Sequence, residues 1–118
     1  MLAVIFEVEP KPGQTNSYLE LAADLAPLLK DVDGFVSIER FQSLTNEGKL
    51  LSLSFWRDEA ALSAWRNVEM HRQAQKAGRG SIFTNYRIRI ASVMRDYGMD
   101  DREQAPVDSK ALHDEPID

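Results

Sequence analysis

Trp65 and His71, in "AWRNVEMH", could between them perform proton chemistry against an aromatic ligand. Imidazole is the side chain whose ordinary pKa lies nearest neutrality, so His71 can take and return a proton. Trp65 follows Ala61 and Leu62 at helical offsets, which predicts an indole turned to the core, where it can wall a pocket and stack on a ring. Asn67, between them, is either a helix cap or a donor to a bound oxygen. Further on, "NYRIR" supplies Asn85, the phenol of Tyr86 and the guanidinium of Arg87, which can hold an anionic oxygen through two parallel bonds. Each residue also has a plainer reading. His71 can be a half-buried histidine bonded to a carbonyl, Trp65 a core residue, and Arg87 and Arg89 partners of Glu7 or Glu39. The pairing of Trp65 with His71 also carries a geometric condition. Six residues of unbroken helix turn about 600°, or about 240° around the axis, so both point inward only if the helix breaks near Asn67-Val68.

The elements that must position these residues are legible in order. "LAVIFEVE" is a strand with Leu2, Val4, Phe6 and Val8 on one face, and "PKPG" stops it. "TNSYLELAADLAPLLK" is an amphipathic helix with Leu19, Ala22, Ala23, Ala26 and Leu29 as its stripe, and Ser17 with Glu20 fits a capping box. "FVSIERFQSL" and "KLLSLSFW" are strands joined by the turn "TNEG". Asp58 caps "EAALSAWRN", a second piece "VEMHRQAQKA" ends at Gly78, and "FTNYRIRIASVMR" is the last strand. Arg79, just past that glycine, neutralises the helix end. The order βαββαβ predicts an α+β, ferredoxin-like split fold, a four-stranded antiparallel sheet with both helices on one face. Ile5, Val36, Ile38, Leu50, Trp56, Ala91 and Val93 then lack a cover, and the expected solution is a homodimer packed sheet against sheet, with Trp56 at its rim.

Composition sets the boundaries. A chain of 118 residues with 43% hydrophobic and 28% charged side chains is one globular domain's worth of sequence. No apolar run spans a bilayer and no signal peptide precedes the first apolar segment. With no cysteine there is neither disulfide nor thiolate metal site, and the expected compartment is the cytoplasm. The net charge of −5 is confined to one end. Residues 1–98 carry 12 acidic and 12 basic side chains, whereas residues 99–118 carry 7 acidic and 2 basic. A neutral body gives no footprint for nucleic acid or an anionic membrane. Residues 1–98 are read as the domain and 99–118, including His113, as an acidic, mobile tail.

The stretches "GFVSIERFQS", "LLSLSFW", "AWRN" with "HR" and "AQ" after it, and "YRIRIASVMRDYG" resemble the antibiotic biosynthesis monooxygenase domain family, of the dimeric α+β barrel superfamily. The resemblance covers residues 1–98. It implies the same fold and a homodimer, and it implies a small set of activities, among them cofactor-free quinone-forming monooxygenation and haem degradation. In the cofactor-free members a polar side chain stands six residues after a tryptophan, the spacing His71 holds from Trp65. In the haem-degrading members the iron ligand is a histidine later in that helix, with an asparagine on the first strand. Here that ligand position is Gln75, and the first strand has no asparagine.

The expectation is a cofactor-independent monooxygenase acting with O₂ on a phenolic or quinol-like aromatic metabolite. His71, Trp65 and Tyr86 form the catalytic set, Asn67, Asn85 and Arg87 bind substrate, and no metal takes part. The alternatives are a haem-binding, haem-degrading enzyme and a non-catalytic small-molecule-binding dimer.

Overall fold

The computed structural model describes residues 1–75 and 82–113, with backbone alone for 70–75 and 111–113. Its elements are β1 (Leu2–Pro10), α1 (Thr15–Lys30), β2 (Phe35–Gln42), β3 (Leu50–Trp56), α2 (Glu59–Gln75), β4 (Phe83–Ser92) and α3 (Val107–His113). The strands form one antiparallel sheet in the order β2-β3-β1-β4, the ferredoxin-like arrangement that βαββαβ predicts. No described helix is long and apolar enough to cross a membrane.

Residues paired across neighbouring strands share a face of the sheet. Leu2, Val4, Phe6 and Val8 of β1 pair with Trp56, Ser54, Ser52 and Leu50 of β3, and all lie on the helix side. Among the described residues two cores form there. Leu29 of α1 and Ala61 and Leu62 of α2 close over Trp56, with Leu2, Val4, Phe35, Ile38 and Trp65 packed around them. At the other end Tyr18 closes over Val8 and Leu50, flanked by Phe6, Ile82 and Phe83.

Three sequence expectations are corrected here. Trp56 is 2% exposed within the helix-side core, with Leu50 and Ile38 on the same side, so none of them belongs to the outward face. A register shift between Phe35 and Ser37 turns Phe35 and Ile38 to the same side, which strict alternation would not allow. The stripe of α1 is Tyr18, Ala22, Leu25 and Leu29, while Leu19 is 42% exposed. Helix α1 also begins at Thr15 behind Gln14, without a side-chain cap bond, so the Ser17 capping box does not form.

Gly34 sets the approach between β2 and α2. Its φ of +92° suits glycine, and a Cβ there would stand 2.8 Å from the Ala61 Cβ. Arg57 N–H donates to the Gly34 carbonyl at 2.7 Å, and its guanidinium pairs with Asp33 at 3.1 Å. Asp58 caps α2 as predicted, accepting from Ala61 N–H at 3.0 Å. That bond first, and the Arg57 guanidinium second, hold the Asp58 carboxyl below its ordinary value.

The opposite face of the sheet carries Ile5, Leu51, Leu53, Phe55 and Phe41, with a polar group set among them. Glu7 bonds Lys49 at 3.1 Å and Arg89 at 3.3 Å. The Lys49 bond is the main reason that its carboxyl lies below the ordinary value. Beyond β4 the chain continues to α3 as an arm. Within the segment read as a tail lie this short helix and the buried Ala105. Residues 114–118 lie outside the described residues.

Candidate active site

Helix α2 runs without interruption from Glu59 to Gln75, so the joint expected at Asn67-Val68 is not there. Asn and Val lower helix propensity by only a few tenths of a kcal/mol each, too little to break a helix packed along one side. Positions 65 and 71 consequently stand about 240° apart around the axis. The backbone does not bring Trp65 and His71 onto one face; the His71 side chain lies outside the described residues, as do Gly78 and Arg79.

The face of α2 turned to the sheet is fixed by burial. Ala61 and Leu62 are 2% and 5% exposed, and the Trp65 ring lies 6.3 Å from that of Trp56, tilted by 32°. The Trp56 indole N–H donates to the Ser54 hydroxyl at 2.9 Å, so the pair sits over a satisfied polar group. One turn beyond Trp65, at about 40° from it, stands Glu69, partly buried. Burial pushes its carboxyl above the ordinary value. Sequence reasoning passed over Glu69 because it looked for imidazole. The available signal was its spacing, four residues from Trp65 and seven from Leu62.

Helix α2 leaves β3 beside Trp56, at the Leu2 end of β1, and must return to Phe83, which pairs with Pro10. Glu69 is therefore displaced from Trp65 toward the end of the sheet where Phe6, Phe83 and Tyr86 cluster. Phe6 lies 5.8 Å from Tyr86 and 6.2 Å from Phe83, edge to face. On the same side of β4, Tyr86, Ile88 and Ile90 remain 57%, 53% and 50% exposed, since neither helix covers this edge strand. An indole, a half-buried carboxyl, a phenol and an open aliphatic strip thus share one side of the sheet.

The remaining predicted residues lie elsewhere. Asn67 is exposed on α2, off the Leu62–Trp65 face. Asn85 and Arg87 alternate with Tyr86 along β4 and point to the opposite face, yet all three line one shallow groove of about 130 Å³ with Glu7, Glu9 and Lys49. A second groove of about 270 Å³ lies between Phe41, Leu51 and Glu7, also away from Trp65. Arg89 meets Glu7, as the plainer reading of the arginines anticipated. Among the described residues no group of His, Cys, Asp and Glu is arranged to hold a metal.

A family model described as "Antibiotic biosynthesis monooxygenase" matches residues 1–77. "Jasmonate monooxygenase ABM" of Pyricularia oryzae is 45% identical over 93 residues, 79% of this chain and 43% of that protein. The chain thus spans less than half the length of this relative. "Uncharacterized protein YqjZ" of Bacillus subtilis is 30% identical over 93 residues, 79% of each chain. Among solved structures, Rv0793 of Mycobacterium tuberculosis superposes with a TM-score of 0.69 at 20% identity, covering 82% of this chain and 98% of that one. A mutant of MhuD, solved with two manganese protoporphyrin IX bound per active site, gives 0.65 at 20% identity over 83% and 99%. Sequence match and strand order agree: the chain belongs to the antibiotic biosynthesis monooxygenase family.

Proposed function

We propose that the chain is a monooxygenase that oxidises a small, mostly apolar cyclic metabolite with O₂ and no bound cofactor, working as a homodimer. The observation that carries this reading is the unbroken α2, which sets the half-buried Glu69 beside Trp65 on the side of the sheet where Phe6, Tyr86, Ile88 and Ile90 leave an apolar floor open. Substrate lies on that floor against the indole. The Glu69 carboxylate takes a proton from a phenol or an activated methylene, and burial, which raises its pKa, makes it a stronger base than an exposed carboxylate. Tyr86 supplies a hydroxyl to the resulting anion. The electron-rich anion then reacts with O₂ directly. For a methylene that becomes a carbonyl, one oxygen atom stays in the product, and the other leaves as water with both methylene hydrogens. The substrate is its own reductant.

Two residues weigh toward the cofactor-free reading: by the family resemblance the iron-ligating position is Gln75, whose carboxamide is a weaker ligand than imidazole, and β1 has no asparagine. The dimer reading rests on the outer sheet face, where Ile5, Leu51, Leu53 and Phe55 lie on the side opposite the described helices that form the core. The identity with a jasmonate monooxygenase adds jasmonate to the substrates worth testing.

Oxygen uptake over anthrones, hydroquinones and jasmonate tests the reading. Wild type is expected to turn over at least one of them without added metal or flavin, with one atom of ¹⁸O₂ in the product. Glu69→Gln should lower kcat by about 10²-fold, the usual worth of a general base, and flatten the rise of rate with pH through the Glu69 pKa. A rate unchanged in Glu69→Gln but lost in His71→Ala would return the proton-transfer role to His71. Turnover only with added haem, with a shifted Soret band on titration, would overturn the cofactor-free reading.

A further inference from the structure

On the helix side of the sheet, strand pairing places Arg40, Ser52, Phe6 and Ile88 in one row, from the β2 edge to the β4 edge. The row passes between the two cores, since Trp56 belongs to one and Leu50 with Val8 to the other. Among the described residues, Arg40 is the one charged side chain that the paired strands turn to this side. The buried stripe of α1, Tyr18, Ala22, Leu25 and Leu29, adds none.

Arg40 is partly buried, and its Nε is enclosed with no hydrogen-bond partner. The other arginines among the described residues are bonded or exposed. Arg57 meets Asp33 and Asp58, Arg89 meets Glu7, and Arg102 donates to the Gly98 and Ser109 carbonyls. Arg66, Arg87 and Arg95 are open to water. An enclosed guanidinium donor without an acceptor costs stability that an apolar side chain in its place would not. The Arg40 Nε is out of reach of bulk water, so its acceptor must be a group brought into the seam. A guanidinium is a planar fork of donors that matches both oxygens of a carboxylate.

The position of Arg40 in the row defines the rest of that ligand. Neighbouring strands stand about 4.8 Å apart, so the Cα atoms of Arg40 and Phe6 are about 10 Å apart. Ser52, between them, is the smallest side chain of the row. We propose that Arg40 is the anion-binding end of the candidate site and that the substrate is a cyclic carboxylic acid. Its ring lies on the Phe6–Ile88 floor, its carboxylate meets the Arg40 fork, and a short chain joins the two over Ser52. The inference rests on the reading of that floor as a substrate site. Arg40 then selects acids over their neutral esters and presents the ring, not the carboxylate, to Glu69.

Calorimetric titration of the full chain with 4-phenylbutyrate and with its methyl ester tests this without turnover. Wild type is expected to bind the acid at least about tenfold more tightly than the ester. Arg40→Met should abolish that preference and leave the ester affinity within about twofold. Its urea midpoint should equal or exceed that of wild type, because an enclosed donor without an acceptor has been removed. Arg40→Lys keeps the charge and loses the fork, so it should retain only part of the preference, and it replaces Arg40→Met if that variant does not fold. Equal binding of acid and ester by wild type, or a full preference that survives in both variants, overturns the anion site and leaves Glu69 and the floor standing. A lower midpoint with an unchanged acid-to-ester ratio marks a structural arginine and overturns it too. Binding of neither compound overturns the anion site together with the floor. An Arg40-dependent preference in a protein that consumes no oxygen with any substrate supports the anion site and removes only the monooxygenase reading.

Discussion

Strands β3 and β4 belong to one sheet and present a row of side chains to the same side, yet they end differently. On β3, Leu50, Ser52, Ser54 and Trp56 are all buried beneath the helices. On β4, Tyr86, Ile88 and Ile90 stay half exposed or more, although this row, unlike that of β3, contains no serine. The difference is position: β3 lies inside the sheet beneath the helix layer, and β4 is the edge that this layer leaves uncovered. Burial on β3 holds the fold. Exposure on β4 leaves a floor on which a ligand can lie, and that contrast locates the candidate site more sharply than any single residue does.

Truncation should break the comparison most visibly. Trp56→Ala is expected to cost about 3–5 kcal/mol, the usual loss for a buried tryptophan, whereas Ile88→Ala should cost about 1 kcal/mol or less because half of its surface is already in water. Urea unfolding of both variants checks this, and equal losses would erase the distinction between the strands. Next in size is Gly34→Ala. The left-handed φ and the contact with Ala61 together predict a loss of about 1–3 kcal/mol, measured the same way, with the start of α2 most affected in hydrogen exchange. The smallest effect belongs to the outer face. The folded-state pKa of Glu7 is lowered, so its contribution is present above its unfolded value of 4.5 and is lost as pH falls through the folded value. Glu7→Gln should therefore narrow the stability gap between pH 7 and pH 3 slightly and leave helix-side behaviour unchanged, as pH-dependent melting would register.

Much of this arrangement was legible in the sequence, for identifiable reasons. Element order and the Asp58 cap depend on local chemistry, turn residues between periodic runs, which a chain displays openly. The parity of β2 and β3 was not legible. Leu50 and Leu51, and Phe55 and Trp56, are adjacent apolar pairs that fit either face, and the irregularity between Phe35 and Ser37 has no compositional mark. Hence Trp56 was expected outside and lies inside. The helix joint failed for a different reason: two residues of middling propensity cannot outweigh the packing of Ala61, Leu62 and Trp65. Glu69 was passed over because a carboxylate on a helix usually faces water, and only its phase with Leu62 and Trp65 shows otherwise.

The chain has two tryptophans, and their rings stand 6.3 Å apart. At that spacing excitation passes between the indoles far faster than either emits, so the two glow as a single lamp, one filament sealed in the core and the other beside the proposed substrate floor. A molecule stacking on Trp65 dims both. The protein thus carries its own gauge of occupancy, readable in its native fluorescence without a label.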